Sequence, residues 1–200
     1  GGKLSDDENI NLRQIKFWVK NVRSQLLAQW VEKRRDLPES AIQSLGCVAS
    51  SVVDATSCCG IIVGCKVLRT DVPIPDAIDT GHKTLITRVG SVDLTSRPYT
   101  FIPYQRASYV GNGKFTKGQI FAFLHQNYIY VMGPMVNLIK KINVQGIFED
   151  PTEVKKFNTC SGISCYTDDS EYPISSRHIE NLKELILKTN FRIVIQSPTD

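Results

Sequence analysis

Ile142–Phe157 reads INVQGIFEDPTEVKKF, an apolar run that meets Glu149, Asp150 and Pro151 with almost no loop between. Two readings compete: carboxylates placed for chemistry, or residues that turn a strand into a helix. The local pattern explains the second completely. Asp150 stands at an N-cap, and Pro151 stands at the first helical position, where the missing N–H costs nothing. Glu153 falls in the first turn, where a carboxylate complements the helix dipole. A catalytic role is not needed to account for any of them.

Upstream of that switch, from about Cys47 to Phe148, the composition favours β-branched, aromatic and turn residues. GIIVGCKVLR, KTLITRVGSVDL and YTFIPYQR read as short strands, and QIFAFLHQNYIYVMG reads as a hairpin turning near Gln126 and Asn127. Gly111, Asn112 and Gly113 supply a tight turn between strands. Before this region, Ser5 and Glu8 have capping-box spacing, and Ile15, Trp18, Val22, Leu26 and Trp30 recur at helical intervals until Pro38. Lys16, Lys20, Arg23, Lys33, Arg34 and Arg35 lie off that stripe or at its end. A helix of about 25 residues would be about 38 Å long, more than a small domain needs for its own core. After the switch, Pro173 stiffens the approach to a second helix, capped by Ser175 or Ser176, with Ile179, Leu182, Leu185 and Ile186 as its apolar stripe. Phe191, Ile193 and Ile195 then alternate with polar or outward positions, the pattern of a half-buried strand that must find an edge.

The predicted fold class is therefore α+β: a long N-terminal amphipathic helix, a central mainly antiparallel β region, and C-terminal helices with an extended arm. All of residues 1–200 form one structural domain, with a helical arm at 5–36, a β-rich body at 47–148 and a helical segment and tail at 150–200.

Composition bounds the function. At 42% hydrophobic and 22% charged the chain is of ordinary globular type. A net charge of +4, from 24 basic and 20 acidic residues, is too mild for a dedicated nucleic-acid binder. No apolar run reaches the roughly 20 residues of a membrane span, and GGKLSDDENI is acidic where a signal peptide would be basic and then apolar. No membrane partner is expected.

Six cysteines, Cys47, Cys58, Cys59, Cys65, Cys160 and Cys165, include no C-x-x-C knuckle. Cys58, Cys59 and Cys65 with Cys160 and Cys165 are enough for a four-thiolate set. The plainer reading makes all six small buried hydrophobes in a reduced compartment. The expectation is no metal and no cofactor.

Catalytic signatures fail on their mechanics. Asp79-Thr80-Gly81 occurs once and is followed by His82-Lys83; it reads as a turn. GNGK has Ser108 and Phe115 where a phosphate loop needs Gly and a hydroxyl. His82, His125 and His178 stand in separate contexts, and SGISCY around Ser164 lacks the closing Gly of a nucleophile elbow. No catalytic residue is expected.

FWVKNVRSQLLAQ, SLGCVASSVVDATSCC, VGCKVLRT, LITRVGSVD, GNGKFTKGQIFAFLHQNYIYV, GIFEDPTEV and YPISSRHIENLKELIL, in that order, resemble a structural protein of crAss-like short-tailed bacteriophages. The likeness runs from about Asn11 to Asp200. It implies a virion protein of the head-to-tail connector, made in the host cytoplasm and assembled with itself into a dodecameric ring beneath the portal. It further implies contacts with the portal protein and adjacent tail or ring proteins, and weak non-specific contacts with genomic DNA in the lumen. Trp18, Trp30, Phe191, Ile193 and Ile195 are the candidate assembly interface; Ser5, Glu8, Asp150, Pro151 and Glu153 are structural caps. Two alternatives have their own residues: a nucleic-acid-binding module using Lys16, Lys20, Arg23 and Lys33–Arg35, and a cryptic hydrolase using Asp79 or Ser164.

Overall fold

A computed structural model describes residues 11–34, 36, 38–54, 66–111, 113–114 and 116–188. Its elements are α1 (Leu12–Arg34), β1 (Gln43–Ser44), β2 (Val48–Asp54), β3 (Lys66–Thr70), β4 (Ile86–Ser91), β5 (Thr100–Phe101), β6 (Phe121–His125), β7 (Tyr128–Met132), β8 (Lys141–Gly146) and α2 (Ser176–Ile186), with short 3-10 turns between. It is an α+β fold with a sheet-dominated core.

The strand that ends in the opening stretch organises the sheet. Gln145 pairs with both Ser44 and Arg88, and Ile142 with both Val48 and Ser91, so β8 has β4 on one side and β1 followed by β2 on the other. Beyond Ala49, β2 pairs with β3, from Ser50↔Thr70 to Asp54↔Lys66. β3 pairs with β7 and β7 with β6, all antiparallel, while β5 joins β6 in parallel. The two ends of this series meet, because the Tyr99 N–H next to β5 donates to the Val89 carbonyl of β4 at 2.8 Å. The sheet is thereby curled into a barrel.

Strand alternation fills the barrel. Leu68, Ile86, Val89, Ala122, Ile129, Val131, Ile142 and Val144 point into one cluster. The other faces of β6 and β7, Phe121, Phe123, Tyr130 and Met132, pack outside it with Ala107 of the 3-10 turn Tyr104–Tyr109. The β6–β7 hairpin turns at Gln126 and Asn127, with φ of 48° and 62°, the two left-handed residues of a hairpin that follows the strand twist. Gly111, with φ of 88°, bends the chain as expected, but it follows the 3-10 turn rather than a strand; Asn112 lies outside the described residues.

Three expectations about the helices change. α1 begins at Leu12, where Asn11 Oδ1 accepts from Arg13 N–H at 3.1 Å; Ser5 and Glu8 lie outside the described residues. The segment after Asp150 is a 3-10 helix, Pro151–Lys156. In α2 the Ser175 side chain makes no capping bond, and the buried side is His178, Leu182 and Ile186, while Ile179 and Leu185 are exposed.

The reading of every cysteine as free is also overturned. Cys47 and Cys160 form a disulfide with Cα atoms 5.1 Å apart, and Cys165 is free. A bulge between β1 and β2 makes the approach: Gly46 has φ of 65°, and Cys47 N–H donates to Asn158 O at 2.9 Å. A Cβ on Gly46 would lie 2.5 Å from Asn158 O, so only glycine fits. Cys58, Cys59 and Cys65 lie outside the described residues, among which no three His, Cys, Asp or Glu side chains are grouped to hold a metal. Phe191, Ile193 and Ile195 also lie outside them.

Candidate assembly surface

α1 and α2 form a layer at the end of the barrel where β8 finishes. Leu27 of α1 packs with Ala41, Ile78, Leu85 and Ile147, and Val22 packs with Ile174, Leu182 and Ile186. Between Val22 and Leu27 lies the residue that joins these parts. Arg23 is fully buried. Its Nε donates to Pro173 O at 3.0 Å, its Nη1 donates to Phe148 O at 2.7 Å, and its guanidinium lies 5.7 Å from the Tyr172 ring centroid. One side chain thus fastens α1 to the end of β8 and to the approach of α2. Burial pushes its pKa below the ordinary guanidinium value, partly offset by Tyr172, Tyr166 and Asp150. The sequence reading placed Arg23 among surface cations; the structure removes it from any nucleic-acid surface. A signal existed, since Val19, Arg23 and Leu27 follow one another at four-residue spacing on the buried side.

Asp150 answers the opening question with two roles. Its Oδ1 accepts from Thr152 N–H at 2.9 Å and from the Thr152 hydroxyl at 2.6 Å, and its Oδ2 lies 3.3 Å from Lys20 Nζ of α1. Partial burial raises its pKa, but Thr152 and Lys20 outweigh that, and the net direction is down. A depressed folded-state value means that Asp150 contributes stability above the unfolded carboxylate range, which is lost as pH falls through the folded value. Asp150→Ala is expected to cost about 1 kcal/mol at neutral pH, mostly the cap, since the half-exposed ion pair adds little. Asp150→Asn retains an acceptor and is expected to be nearly silent in thermal unfolding. Loss of an activity in Asp150→Asn at unchanged stability would restore the catalytic reading.

Other singled-out residues have structural surroundings. Asp79 Oδ1 accepts from Gly81 N–H at 2.8 Å within a turn. The Ser164 hydroxyl donates to Tyr166 O at 2.8 Å. His178 packs edge-on to Trp30 at 4.4 Å, and His125 stacks on Tyr104 at 4.1 Å. His82 is exposed. Trp18 is half-buried against the Val22–Ile186 cluster, so both tryptophans are engaged within the chain.

What α1 leaves open is its first turns. Leu12 and Phe17 are 62% and 58% exposed. Beside them runs a groove of about 620 Å³ between α1 and the segment from Asp150 to Tyr172, with Ile15, Val19, Tyr166 and Tyr172 among its walls. Leu12 and Phe17 are not among the residues that the sequence pattern alone singles out.

Comparison with known proteins gives this architecture a context. The family of phage tail ring protein 2, defined on crAss-like phages, matches residues 2–200. Ring protein 2 of Bacteroides phage crAss001 is 27% identical over 193 residues, covering 92% of this chain and 82% of that protein.

Proposed function

The chain belongs to the phage tail ring protein 2 family, and from that premise we propose that its copies form a ring of the head-to-tail connector beneath the portal. It is a structural ring protein of a crAss-like phage. The finer reading makes the ring dodecameric, places portal and tail proteins on its two sides, and lets genomic DNA pass through a lumen of weak, sequence-independent contacts. Its location is then the virion, after synthesis in the host cytoplasm. The family match over residues 2–200 is the observation that supports a ring of this chain.

The physical character of the molecule supports it. A ring closes through head-to-tail contacts, which require two different surfaces on each copy. A rigid barrel with helices clamped at one end can hold such surfaces in fixed relation. The mild charge of +4 suits a DNA path without tight binding. The nucleic-acid-module reading loses Arg23 to burial and engages Lys20 with Asp150.

Electron microscopy of the particle tests the proposal: a ring of this chain adjoining the portal is expected, and its placement elsewhere would refute the connector position. The arm from Phe191 to Ile195 is proposed as an intersubunit or inter-ring strand, with a docking role for the residues beyond Gln196. Truncation after Gln196 is expected to leave the melting temperature unchanged and to block incorporation. Full particle yield from the truncated chain would exclude that role.

A further inference from the structure

One residue in ten of the chain is acidic, yet none of the 55 residues from Leu94 to Phe148 is. Six in that stretch are Lys or Arg. The stretch supplies β5, β6, β7 and β8 together with the 3-10 turn Tyr104–Tyr109, so its cations meet no carboxylate of their own segment. The mild net charge of the whole chain conceals this local excess.

Strand alternation decides which way these charges face. Arg69 of β3 pairs with Tyr130 of β7, and Tyr130 packs outside the barrel, so Arg69 stands on the outer face. Its guanidinium lies 4.9 Å from the Tyr128 ring centroid. His125 pairs with Tyr128 across the β6–β7 hairpin, and Tyr104 stacks on His125 at 4.1 Å. The turn Tyr104–Tyr109 thus lies over this face, with Ala107 buried beneath it and Gln105, Arg106, Ser108 and Tyr109 exposed. Lys114 and Lys117 follow, also exposed. Their turn is held in shape: Gly113 N–H donates to Thr116 Oγ1 at 3.1 Å, and Lys117 N–H donates to Gly113 O at 3.0 Å. Asp54 of β2, which borders β3, points the other way, because its neighbour Val53 faces the outer cluster.

This outer wall has the chemistry of a phosphate-backbone surface. Arg106 and Lys117 enter no ion pair among the described residues. Beside them stand the Gln105 and Gln119 amides and the Ser108 and Tyr109 hydroxyls, side chains that commonly bond phosphate oxygens. Among the described residues from 103 to 119, Tyr109 is the one exposed large apolar side chain, so the wall lacks the apolar centre of a protein interface.

We propose that the outer face of β3, β7 and β6, with the ledge from Tyr104 to Gln119 that covers it, is the wall that meets the phosphate backbone of duplex DNA. This rests on the ring reading and names the side of the subunit that faces the lumen. Cations fixed on a rigid wall attract the duplex wherever its phosphates pass, without reading sequence.

The test uses genome-filled particles. A photoreactive phenylalanine analogue at Tyr109, whose side chain is 83% exposed, is expected to cross-link this chain to DNA. In the same background, Arg106→Glu with Lys117→Glu is expected to cut the DNA adduct per incorporated copy about tenfold at unchanged melting temperature. Arg106→Gln with Lys117→Gln, which removes charge without reversing it, is expected to give an intermediate yield. Absence of a DNA adduct, or an adduct to a virion protein in its place, overturns the DNA-facing wall while the ring stands. A DNA adduct whose yield is the same in both variants overturns the role of the cations. Micrographs of the same particles without a ring of copies remove the premise and the wall together.

Discussion

Arg23→Ala is expected to lower the stability of the folded chain by about 3 kcal/mol, the sum of two lost charge-assisted hydrogen bonds and a cavity. Phe148 O and Pro173 O each accept from this one side chain, at 2.7 and 3.0 Å, in a region closed to water. Truncation would leave both carbonyls buried without a donor. Relief from burying the charge offsets part of the loss, because no carboxylate is hydrogen-bonded to the guanidinium and Nη2 has no hydrogen-bond partner. Arg23→Lys is expected to recover little, since one ammonium does not reproduce the planar fork that spans two carbonyls. For a domain of this size the loss corresponds to a fall in melting temperature of about 6–12 °C. The same variant separates two functions. A surface cation on a DNA path would leave melting unchanged and flatten the salt dependence of DNA binding. If Arg23→Ala shows that pattern, the clamp is refuted.

The case of Arg23 shows where sequence patterns gave out. The strand-to-helix switch at Asp150 was legible because a cap, a proline and a first-turn acid act on neighbours in the chain. The Gln126–Asn127 hairpin was legible for the same reason. Barrel closure was not, because it depends on Tyr99 meeting Val89 through the path of the whole sheet. The fate of Arg23 was hidden for a related reason: residue type argues for the surface, and only the carbonyls of Phe148 and Pro173, far along the chain, make burial tolerable. His178 repeats the lesson on α2, where its place in the buried face was given to Ile179 and Leu185. The Leu12–Phe17 surface is not legible in the same way, because residue size singles out Trp18 and Trp30, and only the folded chain shows that each of these is partly used within it.

Reduction of the Cys47–Cys160 disulfide is expected to cost about 4 kcal/mol, a larger effect than loss of the Arg23 clamp. The two cysteines are 113 residues apart, so the bridge closes a long loop and strongly restricts the unfolded chain. Cys160 is exposed and Cys47 half-buried, which leaves the bond open to a small thiol reductant. Cys160→Ser should therefore match the reduced protein in denaturant midpoint, and dithiothreitol should have no further effect on that variant. Cys165→Ser supplies the control. Burial raises the pKa of the Cys165 thiol, keeping it protonated and slow in exchange, and its loss is expected to leave the reductant sensitivity intact. The bridge also ties the β1–β2 bulge to the segment around Asn158, already joined by Cys47 N–H to Asn158 O. Some local order should consequently survive reduction, and the loss should be read mainly in the unfolding equilibrium. Peptide mapping under non-reducing conditions checks the bond directly. Recovery of Cys47 and Cys160 as separately alkylated thiols from native protein would restore the reading in which both are free, with geometry that brings them together but no covalent contribution to stability.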